Sequence, residues 1–513
     1  MQQVVWLLLL HKIFRSAMPS VTFKTGNYNY FRRMNTLPVY EILKEAAIKW
    51  PNNPAVYDDQ GVISFKELFN ETEDLRLQLM HLGIKAGMGI GVMAANSRHF
   101  IIGIFAAVGT GAAVMPMSPQ LKKAEIDDIL QDTKLHAVMD DKTAGKPLNA
   151  FDTLITLKNG SFRFGFTGID ESVAFASFVH QPAFIRFTSG TTGKSKGVII
   201  SHQSVLERID LANKGLELGP SDTVIWVLPM AYHFMVSIIL YVRYGTAIAV
   251  ARDFLAKNII EITNRYQGTL LYASPVQIRL LSNDSGTTQL PSLKKVISTS
   301  AAISLNVCKA FKDRFNLDVS QAYGIIEIGL PMLNYIKSAE QPDAVGYALP
   351  GYTVDILDEH NNPLPNGSIG HLGIKGPGMF DAYLVPPALR KDILQNGYFL
   401  TADYASKADD GLIKIEGRSK SVINISGLKV FPEEVEAVLE MIPEIRQARI
   451  SSCPHPLLGQ IIEAEVVLHD GAKIDVEDVL TYCKKRLSAF KAPQRLNIVE
   501  SLPMTGSGKL QRH

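Results

Sequence analysis

At 513 residues the chain is about three times the usual domain length, which excludes a small disulfide-stapled scaffold and requires at least two units with their own cores. Hydrophobic residues make up 46% and charged residues 20%, and 52 Lys+Arg against 50 Asp+Glu leave a net charge of +2. That balance gives no reason to expect nucleic acid or an anionic membrane surface as partner. Cys308, Cys453 and Cys483 lack the paired spacing of a zinc site or a disulfide framework, so a reducing, cytoplasmic compartment is expected.

The run Val4–Leu10 is seven apolar residues long, far short of the ~20 needed for a stable membrane span. It also lacks the preceding basic residue of a secretory signal. Met18 and Met34 stand just upstream of the first clear domain pattern, and either could be the true start, so residues 1–33 read as an extension of uncertain status.

From Pro38 onward, helical and strand patterns alternate. Val39, Leu43, Ala47 and Trp50 recur at helical spacing, and Ser64-Phe65-Lys66-Glu67 is a capping box opening a second helix. Gly89–Ala94 reads as a buried strand feeding a helix near Arg98–Val108. Short apolar strands return at Val224–Leu228, Ala247–Ala251, Thr269–Ala273, Val296–Ser298 and Val319–Tyr323, separated by helical stretches. This is the pattern of α/β parallel sheets.

Between about Gly346 and Ile415 the texture changes to short strands and turns, marked by Asn361-Asn362-Pro363, Pro365-Asn366-Gly367 and Asp409-Asp410-Gly411. A third texture follows Gly417-Arg418-Ser419-Lys420: a helix near Glu433–Met441, strands near Gln447–Ile450 and Glu463–Leu468, and an amphipathic helix near Val476–Leu487. The expected architecture is a large α/β N-terminal domain with parallel sheets and a β-rich subdomain, followed by a small α+β C-terminal domain.

The most informative stretch is Phe187-Thr188-Ser189-Gly190-Thr191-Thr192-Gly193-Lys194-Ser195-Lys196-Gly197. Glycines let a backbone turn inward, hydroxyls donate to phosphate oxygens, and lysines neutralise charge, so the segment suits a phosphate-holding loop. It is not a Walker loop, because only Thr191 and Thr192 separate Gly190 from Gly193-Lys194.

The loop resembles the signature of the adenylate-forming (AMP-binding) enzymes, which include acyl-CoA synthetases, luciferases and peptide-synthetase adenylation domains. Four further segments resemble that family's motifs in the same order: Gln321–Glu327, Thr401-Ala402-Asp403, Gly417–Lys420 and Leu502–Leu510. The resemblance implies ATP-dependent activation of a carboxylic acid as an acyl-adenylate, followed by transfer to a thiol. It places Thr188, Ser189, Gly190, Thr191, Thr192, Gly193 and Lys196 on the phosphates and Glu327 on Mg²⁺; from the residues alone, Glu327 reads as the start of a helix, where the dipole favours a carboxylate. Ser300, Ala301 and Ala302 with Tyr323 and Gly324 would form the adenine slot; Asp403 would bind the ribose, with Arg418 also on the nucleotide. Lys509 would enter the site for the first half-reaction, Lys420 would be the hinge, and Gly427 would belong to the loop approaching the thiol. The implied division is residues 34–416 for the nucleotide-binding domain, with 346–416 its β-rich part, then 417–420 as hinge and 421–513 as a mobile lid.

Several residues depart from the family pattern. Ile326 replaces the usual Thr, Ala402 a Gly, Asn424 a common Lys, and His371 a frequent Glu, while Thr299–Ile303 lacks the customary Gly and Pro. Without a hydroxyl at position 326 one hydrogen bond to phosphate is missing, worth roughly 1–3 kcal/mol.

Amino-acid-activating relatives pair the substrate amine with an Asp, yet Pro229-Met230-Ala231-Tyr232-His233-Phe234 contains no carboxylate. A buried amine would be unpaired there, which disfavours amino acids. The resemblance makes His233 a gate to the acyl pocket, although a His beside aromatics is also an ordinary packed residue. A fatty or aromatic acid is expected. With the sequence ending at His513, no carrier domain follows Lys509, so the expected acceptor is coenzyme A or, alternatively, a separate acyl-carrier protein. A catalytically silent homologue is the non-enzymatic alternative.

Overall fold

A computed structural model of the chain describes residues 38–141, 153–188, 196–419, 421–425, 428–455, 459–503 and 510, with the backbone alone at 188, 424, 428, 429, 455, 459 and 460. The extension 1–33 lies outside the described residues, as do Ser189, Gly190, Thr191, Thr192, Gly193, Lys420, Gly427 and Lys509.

Helices start where side chains can satisfy the first free N–H groups. Ser64 accepts the Glu67 amide while the Glu67 carboxylate takes the Ser64 amide, and the helix Phe65–His81 then buries Phe65, Leu68, Leu75 and Leu79. Ser97 and Ser201 cap Arg98–Gly109 and His202–Leu216, each accepting the amide three residues on. Such a cap contributes about 1 kcal/mol. The helix Arg98–Gly109 is apolar on nearly every side and is buried along its whole length.

Two nine-stranded sheets are found among the described residues. In the first, Thr223–Trp226, Ala247–Val250, Leu270–Ala273, Lys295–Ser298 and Val319–Ile325 run parallel. Their near-continuous apolar sequences suit strands covered on both faces. In the second, Gly89–Met93, Ala113–Met117 and Ala137–Asp140 are parallel, and Pro182–Thr188 joins them before pairing antiparallel with Lys196–Ser201. A shared core fills the space between the sheets. The Phe234 ring at its centre meets Phe100, Phe105 and Phe184 at 5.8, 5.9 and 6.3 Å.

The turn-rich stretch forms a four-stranded antiparallel sheet of Thr353–Leu357, Ile369–Lys375, Phe399–Lys407 and Ile413–Arg418. Beyond it the smaller C-terminal domain packs the helices Pro432–Leu439 and Val476–Arg486 against strands Ile445–His455, Gly459–Leu468 and Arg495–Ile498. Its core includes Val435, Leu439, Ile450, Ala464, Val466 and Cys483. Tyr404 and Phe431 meet across the junction at 5.5 Å.

One local expectation is corrected. Glu327 reads in sequence as the start of a helix, but it lies in the turn between Val319–Ile325 and the antiparallel strand Gly329–Leu333. The reversal depends on Gly324, where a Cβ would stand 2.7 Å from the Gly329 carbonyl oxygen, and on Gly329 at φ +103. Among the described residues no helix is long and apolar enough to cross a membrane.

Candidate active site

The first sheet's parallel strands release their loops on one side, the side where open α/β sheets place ligands. Ser300, Ala301 and Ala302 follow the strand Lys295–Ser298 and are exposed. The next residue, Ile303, is buried, and its amide donates to the Gln321 side-chain oxygen at 3.3 Å, tying this loop to the strand that carries Tyr323. Ser300 stands at φ +75, a left-handed backbone that normally favours glycine.

Tyr323, Asp403 and Arg418 come from three separate strands and meet. The Tyr323 hydroxyl donates to Asp403 Oδ2 at 2.5 Å, and Arg418 Nε lies 3.3 Å from Oδ1. Register creates the second contact, since Asp403 and Arg418 are directly paired across antiparallel strands. Asp403 is buried although ionisable, and the guanidinium provides its countercharge. Burial, then the Asp403 carboxylate, pushes the Tyr323 phenol well above its ordinary range, so it remains a donor. Ala402, beside Asp403, takes φ +62. Its carbonyl accepts both the Ser419 amide at 2.9 Å and the Ser419 hydroxyl at 2.6 Å, anchoring the chain just before position 420.

Glu327 is fixed from several directions. Tyr383 donates its hydroxyl to Glu327 Oε1 at 3.1 Å, and the Phe380 amide donates to the Glu327 carbonyl at 2.6 Å. Arg208, wholly buried, donates through Nη1 to the Ile326 carbonyl at 2.9 Å and through Nε and Nη2 to that of Gly378. The turn is therefore clamped at the residue before its carboxylate. Ile326 itself packs against the core. Burial pushes the Glu327 carboxyl upward, while Tyr383, Arg186 and Arg208 pull it back. Lys196 lies 4.7 Å from the centre of the Tyr383 ring and pairs in register with Thr188, so these two positions bracket the glycine-rich loop.

His233 ends the short helix Met230–His233, immediately before a π-helical turn at Phe234–Ile238. Its ring stands edge-on to Trp226 at 5.7 Å and Tyr272 at 6.2 Å, and those two rings stack at 5.8 Å. Arg186, in the strand entering the loop, donates through Nη1 to the Tyr232 carbonyl, with its guanidinium 4.9 Å from the Tyr232 ring centre.

Of the residues singled out in sequence, Tyr323, Asp403, Arg418, Glu327, Lys196 and His233 are placed as described above; Tyr383, Arg208 and Arg186, which contact this region, were not singled out. Arg186 carried a signal, being the one charge in Ala183-Phe184-Ile185-Arg186-Phe187. Tyr383 and Arg208 act across 56 and 118 residues of chain and had none.

The arrangement fits a nucleotide and its metal. An aromatic hydroxyl, a carboxylate and a guanidinium suit a hydroxylated sugar with an anionic tail. Among the described residues no group of three metal-ligating side chains occurs. Glu327 would therefore offer a single carboxylate to an ion completed by phosphate oxygens and water, the usual manner of Mg²⁺.

The sequence profile of the AMP-binding enzymes matches residues 43–384, and that of the AMP-binding enzyme C-terminal domain matches 434–509. An uncharacterised acyl-CoA ligase of Bacillus subtilis is 27% identical over 472 residues, 88% of this chain and 89% of that one. A fatty acid–[acyl-carrier-protein] ligase of Streptomyces coeruleorubidus is 24% identical over 481 residues, 90% of this chain and 92% of its own. Among solved structures, ATP-bound MatB from Rhodopseudomonas palustris has the same fold, with a TM-score of 0.80 at 23% identity over 92% of this chain and 97% of that one. With the AMP-binding profile covering well over half its length and the C-terminal profile following it, the chain belongs to the AMP-binding, adenylate-forming enzyme family.

Proposed function

We propose that the protein activates a fatty or aromatic carboxylic acid with ATP, forming an acyl-adenylate, and transfers the acyl group to the thiol of coenzyme A. The observation that carries this reading is the convergence of Tyr323, Asp403 and Arg418 beside the clamped Glu327 turn. These four residues come from three motifs that are separate in sequence, Tyr323 and Glu327 sharing one.

A carboxylate is a poor electrophile. Its oxygen attacks the α-phosphorus, the bond to the bridging oxygen breaks, and pyrophosphate departs with the electron pair; the mixed anhydride then supplies AMP as leaving group to the thiol. The protein has mainly to hold two anions together and to stabilise added negative charge. Asp403, held by the Tyr323 hydroxyl, orients the ribose, with Ser300, Ala301, Ala302, Tyr323 and Gly324 walling the adenine. Arg418 meets the nucleotide from the strand leading to the hinge. Thr188, Ser189, Gly190, Thr191, Thr192, Gly193 and Lys196 receive the phosphates. Mg²⁺ bound at Glu327 would supply charge neutralisation at the phosphates. His233, backed by Trp226 and Tyr272, closes the acyl side.

In this reading residues 34–416 are the nucleotide-binding domain and 346–416 its β-rich part. Residues 417–420 form a hinge around Lys420, and 421–513 a lid that presents Lys509 in the first half-reaction and the Gly427 loop in the second. The relative named as an acyl-carrier-protein ligase makes a separate carrier protein the competing acceptor. Incubation with ATP, Mg²⁺ and a panel of fatty and aromatic acids, with coenzyme A or carrier protein supplied in turn, tests the reading by mass spectrometry. Acyl-CoA and AMP in equal amounts support it. Acyl-carrier product alone would transfer the acceptor assignment, and no AMP with any acid would overturn the function.

A further inference from the structure

The strand Pro182–Thr188 enters the glycine-rich loop, and its alternate residues face opposite ways. Ile185 and Phe187 pack into one apolar cluster. Phe184, on the other face, belongs to the main core and meets the Phe234 ring. Arg186 shares the Phe184 face, so a cation is directed into the space bounded by the Tyr232–Phe234 segment.

Its environment is incompletely satisfied. Nη1 donates to the Tyr232 carbonyl and the guanidinium lies over the Tyr232 ring, but Nε is sealed from solvent with no acceptor. Among the described residues no carboxylate stands within ion-pair distance of it; Glu327 acts on it only through a longer-range field. Burial draws the guanidinium down to about 10, which leaves it charged at neutral pH. A half-buried cation whose Nε–H is sealed from solvent without an acceptor, and with no adjacent anion, is costly unless an anion arrives. Two anions meet in this site by the proposed function, and Arg186 stands on the acyl side: it touches Tyr232, next to His233, whereas Tyr323 lies on the other nine-stranded sheet and Asp403 and Arg418 lie on the four-stranded sheet.

We propose that Arg186 anchors the carboxylate of the acid being activated, its Nε donating to one carboxylate oxygen while the other oxygen attacks the α-phosphate. This rests on the proposed function and adds to it the group that aims the nucleophile. No proton moves, since the guanidinium stays charged throughout. The anchor is present whatever the lid position, and it acts on the free acid more than on the adenylate, whose acyl oxygen no longer bears the full charge.

The test compares wild type, Arg186→Leu and Arg186→Lys in ATP–pyrophosphate exchange. Each is assayed with the best monocarboxylic acid and with the dicarboxylic acid of the same chain length, and each melting temperature is recorded. For Arg186→Leu we expect KM for either acid to rise by about 10- to 100-fold, with KM for ATP within twofold of wild type. Arg186→Lys should recover part of the loss, and thioester formation from synthetic acyl-adenylate should be spared. A loss confined to the dicarboxylic acid would overturn the inference in favour of a second-anion reader. A rise in KM for ATP would reassign Arg186 to phosphate, and unchanged KM values would make it structural. Should Arg186→Leu fail to fold, Arg186→Lys alone decides: a selective rise in acid KM supports the anchor, and wild-type values overturn it. A wild type that exchanges with no acid would overturn the proposed function and this inference together.

Discussion

The Tyr323 hydroxyl and the Asp403 carboxylate are 2.5 Å apart although 80 residues separate them in sequence. This bond joins the large parallel sheet to the four-stranded sheet that leads into the C-terminal domain. It also holds Asp403 in one orientation, with Arg418 on its other oxygen.

Tyr323→Phe removes the bond and little volume. It deletes one hydrogen bond to a buried carboxylate, which costs about 1–3 kcal/mol. Lower thermal stability and a KM for ATP raised by about tenfold are expected, with KM for the acid unchanged. Chemical denaturation and initial-rate kinetics on the purified variant measure both effects.

Glu327 has a pH signature. Burial raises its carboxyl above the usual carboxylate range, while the Tyr383 hydroxyl, Arg186 and Arg208 oppose that rise. The ionised form is the one that holds a cation, so kcat/KM should fall as pH drops through a midpoint above the ordinary range for Glu. Tyr383→Phe deletes a bond that favours the ionised form. The acid limb should move to higher pH in this variant, and movement to lower pH would contradict the assignment.

Much of this was legible from the chain because the motifs are local. The capping box at Ser64 and the parallel strands from Thr223 to Ile325 follow from short-range chemistry. Asp403 and Arg418 were found as members of motifs, whereas their direct pairing depends on strand register, which a linear pattern leaves open. The Glu327 turn was misread as a helix start because the close approach of Gly324 to Gly329 is a contact between strands and not a propensity. Arg208 and Tyr383 reach the site from elements chosen by the fold as a whole. At Ala402 and Ser300 the backbone takes the left-handed conformation with side chains ill suited to it, so the geometry of a glycine is kept without the residue.

Ala402→Gly should for that reason stabilise the protein. The left-handed conformation costs an L-residue about 1–2 kcal/mol, partly offset by the greater freedom glycine has when unfolded, about 0.5–1 kcal/mol. A net gain of about 0.5–1 kcal/mol is expected, read as a higher denaturation midpoint with Asp403 function intact. A lower midpoint would mean that the Ala402 methyl makes a contact worth more than the strain.

Lys509 lies outside the described residues, and its proposed role is confined to the first half-reaction. Lys509→Ala should lower adenylate formation by a factor on the order of 10²–10³. Thioester formation from synthetic acyl-adenylate and coenzyme A should change much less. Equal loss in both steps would make the residue a structural one.

The central claim is that this site joins a carboxylate to the α-phosphate of ATP. Acid-dependent exchange of labelled pyrophosphate into ATP reports that step alone, before any thiol takes part. Wild-type protein with Mg²⁺ and the acid panel should exchange with at least one fatty or aromatic acid and not without acid, and Asp403→Ala should lose most of that rate. Absence of acid-dependent exchange across the panel, or full exchange in Asp403→Ala, would contradict the account.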